Sequence, residues 1–135
     1  MDLIISNNTL EHIYPDVLIP ILEEFIRLIK SGGVQSHFID MSDHFAHFDK
    51  SISIYNFLKF SNRQWKVIDN KIQPQNRLRY DDYIEIYGKI GMPVSKTKFR
   101  AGDSESLKSF NISKEFEKYS IERLAISHCY ITSYF

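Results

Sequence analysis

Residues 2–41 constrain the fold more than any other stretch, because a short apolar run, a helix-patterned segment and a β-rich run follow one another closely. Leu3, Ile4 and Ile5 suit a strand covered on both faces, and Ser6, Asn7, Asn8 and Thr9 break it with groups that favour turns. Asp16 can cap a helix whose apolar positions Leu18, Ile21, Leu22, Phe25, Ile26 and Ile29 follow helical spacing. Pro20 limits how early that helix begins, since proline is comfortable only in the first turn. Lys30 and Ser31 close it, and Gly32 or Gly33 can take the left-handed conformation before VQSHFIDM. A strand, helix, strand unit of this length requires a parallel pair joined by a right-handed crossover, with the helix on one face of the sheet.

Beyond Met41 the regular alternation stops. Residues 42–75 contain an aromatic-rich expected helix around SISIYNFLKF and then Trp65, so they read as an insertion. Lying after a strand's carboxyl end, such an insertion can act as lid or substrate platform. The pattern resumes at RYDDYIEIYGKIG, where Tyr83, Tyr87 and Ile90 share a helical face and Gly91 is the expected stop. PVSKTKF reads as a strand with Lys96 and Lys98 on one side, as at a sheet edge, and residues 101–115 read as a loop or insertion. Ser120 can cap a short helix before a terminal strand, ISHCYITSYF. The expectation is one α/β domain over residues 1–135 with about four strands.

Several function classes are disfavoured by composition. Seventeen basic and seventeen acidic residues cancel, so no overall field attracts nucleic acid or an anionic membrane, and no apolar run is long enough for a span. With Cys129 as the sole cysteine there is no internal disulfide, which fits a reducing compartment, and the expected location is the cytoplasm. His128 adjoins Cys129, but adjacent strand residues face opposite ways, so cysteine-type hydrolysis is a poor fit and Cys129 reads as a small buried hydrophobe.

Two polar groups carry candidate chemistry. His37, Asp40, Asp43, His44, His47 and Asp49 crowd into one stretch, a mixture that can bind a divalent metal, although His37 and Asp40 cannot both face one site on a strand without a bulge. No metal is assigned. His44 is instead read as a general base, its imidazole suited to taking a proton from an acceptor hydroxyl, with Asp43 or Asp40 to orient it. In the second group, Arg77 and Arg79 offer bidentate grips on an anionic acceptor and Asn76 adds a donor and an acceptor. Pairing with Asp81, Asp82 or Glu85 is the alternative use of those arginines. Asn56 and Asp40 complete the expected substrate contacts, and Tyr55, Phe57 and Trp65 either line the acceptor pocket or belong to the core.

DLIISNNTLEHI, the following helix and KSGGVQSHFID together resemble the fourth strand, fourth helix and fifth strand of class I S-adenosylmethionine-dependent methyltransferases. HFIDMSDHF, NFLKFSNRQW and NRLRYDDY extend the similarity toward a subgroup acting on small molecules. The resemblance implies the second half of a Rossmann-like sheet, with a parallel start, an antiparallel C-terminal strand and a helical insertion. It also implies that Ser6, Asn7, Asn8, Glu11 and His12 lie near the cofactor and the reacting groups, although capping or packing explains them as well. In that family a glycine-rich turn after the first strand and an acidic residue ending the second hold S-adenosylmethionine, and this sequence contains no GxGxG-like segment. The expectation is therefore a methyltransferase whose complete form uses the cofactor on a sugar or related metabolite, while this chain alone binds it weakly or not at all. The alternative is a noncatalytic module that folds by homodimerisation through the N-terminal strand edge or with a partner chain.

Overall fold

The strand, helix, strand unit forms as its pattern requires. In the computed structural model, which describes residues 1–135, β1 (Leu3–Asn7) lies parallel to β2 (Val34–Asp40), and α1 (Pro15–Leu28) connects them. The left-handed turn expected after α1 falls at Gly32, with φ of 78°. Two further strands, β3 (Lys96–Arg100) and β4 (His128–Tyr134), complete a mixed sheet of order β1-β2-β4-β3, in which β4 runs antiparallel to both neighbours. The fold is thus α/β, with one parallel pair in a four-stranded sheet.

Five shorter helices fill the connections: α2 (Phe45–Phe48), α3 (Asn62–Ile68), α4 (Tyr80–Lys89), α5 (Ser104–Lys108) and α6 (Ile121–Ala125). Caps locate several of them. Ser61 and Gln64 form a reciprocal capping box on α3, Asp103 accepts from Ser106 N on α5, and Ser120 accepts from Arg123 N on α6. Gly91, with φ of 73°, follows α4 as its sequence position predicts. No helix is long and apolar enough to cross a membrane.

Two apolar clusters divide the interior. One packs Leu18 and Leu22 of α1 and Tyr83, Ile86 and Tyr87 of α4 against Ile39, Cys129 and Ile131 of the sheet. The other joins Tyr55, Phe57, Leu58 and Trp65 to Leu107, Phe116, Leu124 and Ala125, so residues 42–75 build a core with the chain that follows α4 rather than lying loosely on the surface. Between the clusters Arg79 is wholly buried and donates from its guanidinium to three carbonyls, Met41 O at 2.6 Å, Leu124 O at 2.8 Å and Ile126 O at 2.6 Å. Burial lowers its pKa to about 10, which leaves it charged at neutral pH.

Three local expectations are corrected. The first strand is covered on one face only: Ile4 is buried, whereas Leu3 is 56% and Ile5 69% exposed, because both helices of the first cluster pack on the opposite side of the sheet. The same open face carries Tyr130 and Tyr134 of β4. Next, α1 starts at Pro15 with no side-chain cap from Asp16, and Pro20 lies inside it, on the exposed side where water can bond the Asp16 carbonyl that proline cannot. Finally, SISIYNFLKF yields only a 3₁₀ turn at Asn56–Lys59. Arg77 takes the Phe57 and Phe60 carbonyls, at 2.9 and 2.6 Å, and fastens that segment in a non-helical path.

Arg79→Met should preserve most of the volume while leaving three buried carbonyls without donors. We expect a loss of roughly 3 kcal/mol or more in urea unfolding, given the usual penalty for unpaired buried groups; a loss below about 1 kcal/mol would show that water replaces the guanidinium.

Candidate functional site

At the carboxyl ends of β1 and β2 the chain leaves the sheet by two routes that converge. After β1, Asn8 turns with φ of 49°, a conformation asparagine tolerates, and donates its N–H to Phe38 O at 3.1 Å. The 3₁₀ turn Leu10–His12 follows at once and sets Glu11 and His12 beside the end of β2. After β2, Asp40, His44 and His47 lie on the strand end and the first turn of the next segment. Asn8, Glu11, His12, Asp40, His44 and His47 line a cavity of about 270 Å³.

The polar atoms around this cavity are unevenly satisfied. Asp40 Oδ1 accepts from Ser42 N at 2.8 Å and Ser42 Oγ at 2.6 Å, and it lies 3.3 Å from His128 Nε2. Oδ2 faces the other way, 3.8 Å from His44 Nε2 and 3.5 Å from His47 Nε2. Burial pushes the Asp40 carboxyl up, but the hydrogen bonds from His128 and Ser42 outweigh it and hold the group below the ordinary carboxylate range. Glu11 has no such partners: it is 1% exposed and neither carboxylate oxygen has a hydrogen bond. Burial raises its pKa to about 7, and the charge on Asp40 adds to the shift.

The histidines are differently placed. His12 Nδ1 lies 2.7 Å from Pro74 O, and because a carbonyl can only accept, Nδ1 carries a hydrogen, so the lone pair of the neutral ring is on Nε2. The His12 and His44 rings meet edge to face at 4.9 Å, and His44 and His47 do so at 5.3 Å. Neither nitrogen of His44 has a hydrogen-bond partner, and burial lowers the pKa of the ring. Gln75 anchors the loop that carries it. Its Oε1 accepts from His44 N at 3.3 Å, its Nε2 bonds Ser42 O, and its own carbonyl accepts from Trp65 Nε1 at 2.9 Å.

Only part of the sequence-derived set meets at the cavity. Asp43 is buried beside Asn56 rather than against the His44 ring: its Oδ1 accepts from Phe45 N at 2.9 Å and its Oδ2 from Asn56 Nδ2 at 3.3 Å. Ser6 points to the covered side of the sheet and hydrogen-bonds His37 Nδ1 at 2.7 Å, and Asn7 is exposed. Asn76 donates to Leu10 O at 2.9 Å and Ile13 O at 2.8 Å, which fixes the turn bearing Glu11 and His12. Arg77 adopts φ of 59° and donates to Phe57 O, Phe60 O and Asn62 Oδ1, with its guanidinium over the Trp65 and Phe116 rings. With Arg79 bonded to Met41, Leu124 and Ile126, both arginines are committed to backbone carbonyls away from the cavity.

Three residues bear on the site without having been assigned to it from sequence. His47 belonged to the polar crowd, and its spacing of three from His44 on a helical turn was the available signal. His128 was visible only as a neighbour of Cys129, because its approach to Asp40 arises from the antiparallel β2–β4 pairing, which sets the two residues opposite each other. Gln75 carried no local signal. No family model matches the chain, and no curated protein matches it significantly.

His37, the remaining member of the crowd, does not line the cavity. It stacks on Phe25 at 5.9 Å and, wholly buried, has a pKa lowered to about 4. Below its unfolded value near 6.5 the unfolded chain binds the proton more readily, so this group's contribution to stability is lost as pH falls from about 6.5 to 4, by about 3 kcal/mol. Between pH 7 and 4 the unfolding free energy of wild type should fall relative to that of His37→Gln by about this amount; parallel curves for the two proteins would contradict it.

Proposed function

We propose that this chain is the C-terminal part of an S-adenosylmethionine-dependent methyltransferase acting on a small polar molecule such as a sugar or related metabolite. The observation that carries this reading is the polar cavity beyond the carboxyl ends of β1 and β2, the place where open α/β sheets bind ligands. A parallel start and an antiparallel C-terminal strand, as the resemblance implies for the second half of such a sheet, support it.

The cofactor, when bound, supplies an electrophilic methyl group. The part left to these residues is to hold an acceptor oxygen or nitrogen in line and to receive its proton, and alignment contributes most. Asn8 and the carboxylates around the cavity are suited to binding hydroxyls. His44, with its unpartnered nitrogens and lowered pKa, is the proton acceptor, and Asp40 is its nearest carboxylate. The turn Leu10–His12 and the loop of residues 42–44 form the walls, and Asn76 and Gln75 hold those walls from behind. Residues 42–75 stand at the strand end as the substrate-side insertion.

Two measurements address this reading together. In heteronuclear NMR spectra, a panel of hexoses and sugar acids should contain a member that shifts the amides of Asn8, His12 and His44, while S-adenosylmethionine binds weakly or not at all by calorimetry. Ligand shifts confined to other surfaces would overturn the acceptor assignment, and micromolar cofactor affinity would overturn the view that the cofactor's main site is missing.

The exposed face of β1 favours a second reading, a noncatalytic module that pairs with a copy of itself. β1 ends the sheet with an unpaired edge, and Leu3 and Ile5 stand exposed beside it. Sedimentation should then detect a dimer that Ile5→Lys shifts toward monomer. A wild-type chain monomeric at high concentration contradicts this second reading.

A further inference from the structure

Around His44 the chain gathers more metal-binding donors than its hydrogen bonds use. Glu11, His12 and His44 each offer a ligand atom, and these atoms lie within 4.8 Å of one another. Asp40, His44 and His47 meet the same condition, sharing His44 with the first group. Two observations single out the first group. Glu11 is a carboxylate 1% exposed with no donor to either oxygen, and a buried charge left without a partner is costly. His12 has its tautomer fixed by the Nδ1–H bond to Pro74 O, the arrangement by which a backbone carbonyl orients a ligating imidazole and leaves Nε2 free.

We propose that Glu11, His12 and His44 form a binding site for a divalent transition-metal ion of the zinc, cobalt or iron(II) class. Two neutral imidazoles and one carboxylate suit these ions, whereas magnesium and calcium prefer all-oxygen shells. One of the unpartnered nitrogens of His44 and the unpartnered carboxylate of Glu11 are then satisfied by one cation. Asp40 Oδ2, free of the hydrogen bonds that occupy Oδ1, and His47 are the adjoining donors. Asp40 is itself steadied by Ser42 and His128, so this adjoining carboxylate has the hydrogen-bonded support that metal sites use.

The ion's remaining positions face the 270 Å³ cavity. There a hydroxyl- or carboxylate-bearing molecule can complete the coordination through oxygen. Coordination uses the His44 lone pair, so in the loaded protein the ring holds the ion and the proton-accepting role of the free ring lapses. The site requires only this chain and does not depend on methyl transfer.

The test is a titration of the chelator-stripped chain with Co²⁺ and Zn²⁺, read by calorimetry and by the visible d–d absorption of bound Co²⁺. One equivalent should bind, with a rise in melting temperature, and Mg²⁺ should bind far more weakly. His12→Gln and Glu11→Gln should each weaken binding more than about tenfold, since even supporting residues of metal sites have effects of that size. His37→Gln, outside the cavity lining, should leave it unchanged. His12→Gln decides the matter should Glu11→Gln fail to fold, because His12 is only half-buried. Absence of saturable Co²⁺ or Zn²⁺ binding, equal affinity for Mg²⁺, or undiminished binding in His12→Gln would each overturn the proposal.

Discussion

The buried guanidinium of Arg79 is the interaction on which the rest of the molecule depends. A charge enclosed without a carboxylate beside it is tolerable only when most of its donors are used, and here Nη1 and Nη2 bond carbonyls at Met41, Leu124 and Ile126, leaving Nε alone without a partner. Those three carbonyls belong to the exit from β2 and to the passage from α6 into β4. One side chain therefore fixes where the chain leaves the second strand and where it re-enters the sheet. Arg77, two residues earlier, does the same for the aromatic segment through Phe57 and Phe60, and the cost of its positive φ, on the order of 1 to 3 kcal/mol, is offset by those bonds and its stacking.

The cavity depends on this scaffold in a different way. Its walls are irregular segments that lack strand pairing, and their position is set by side chains bonded to backbone: Asn76 to the turn after β1, Gln75 to the loop after β2. Polar residues of the 74–79 stretch thus stand behind the site and hold it, while Glu11 and His44 in its lining keep their lone pairs. That division leaves both side chains available to a bound molecule.

Much of the architecture could be read from residues. Apolar spacing located α1 and α4, the glycines at 32 and 91 marked real left-handed stops, and Ser120 marked a real cap. The lysines of β3 pointed to an edge strand, which it is. Failures came where tertiary contacts overrule local preference. SISIYNFLKF has helical apolar spacing, but a guanidinium more than a dozen residues away captures its carbonyls. Arg77 and Arg79 were read as possible anion grips because a guanidinium suits bidentate contacts, and only the fold reveals that carbonyls occupy them. Of the site, the His44 region and the LEH turn were legible as polar clusters near strand ends, whereas His128 reached it by strand register alone.

Register has a further consequence at β1. Leu3 and Ile5 face outward and Ile4 inward, so a slip of one residue would exchange one apolar side chain for another and the hydrophobic pattern scarcely resists it. The features that discriminate are polar: the Ser6 hydroxyl bonded to His37, and the Asn8 amide bonded to Phe38 at the turn. A one-residue slip would break both and carry Glu11 and His12 about 3.3 Å along the strand direction. The strand that looks most hydrophobic is therefore aligned by a hydroxyl and an amide, and the alignment of the site is inherited from them.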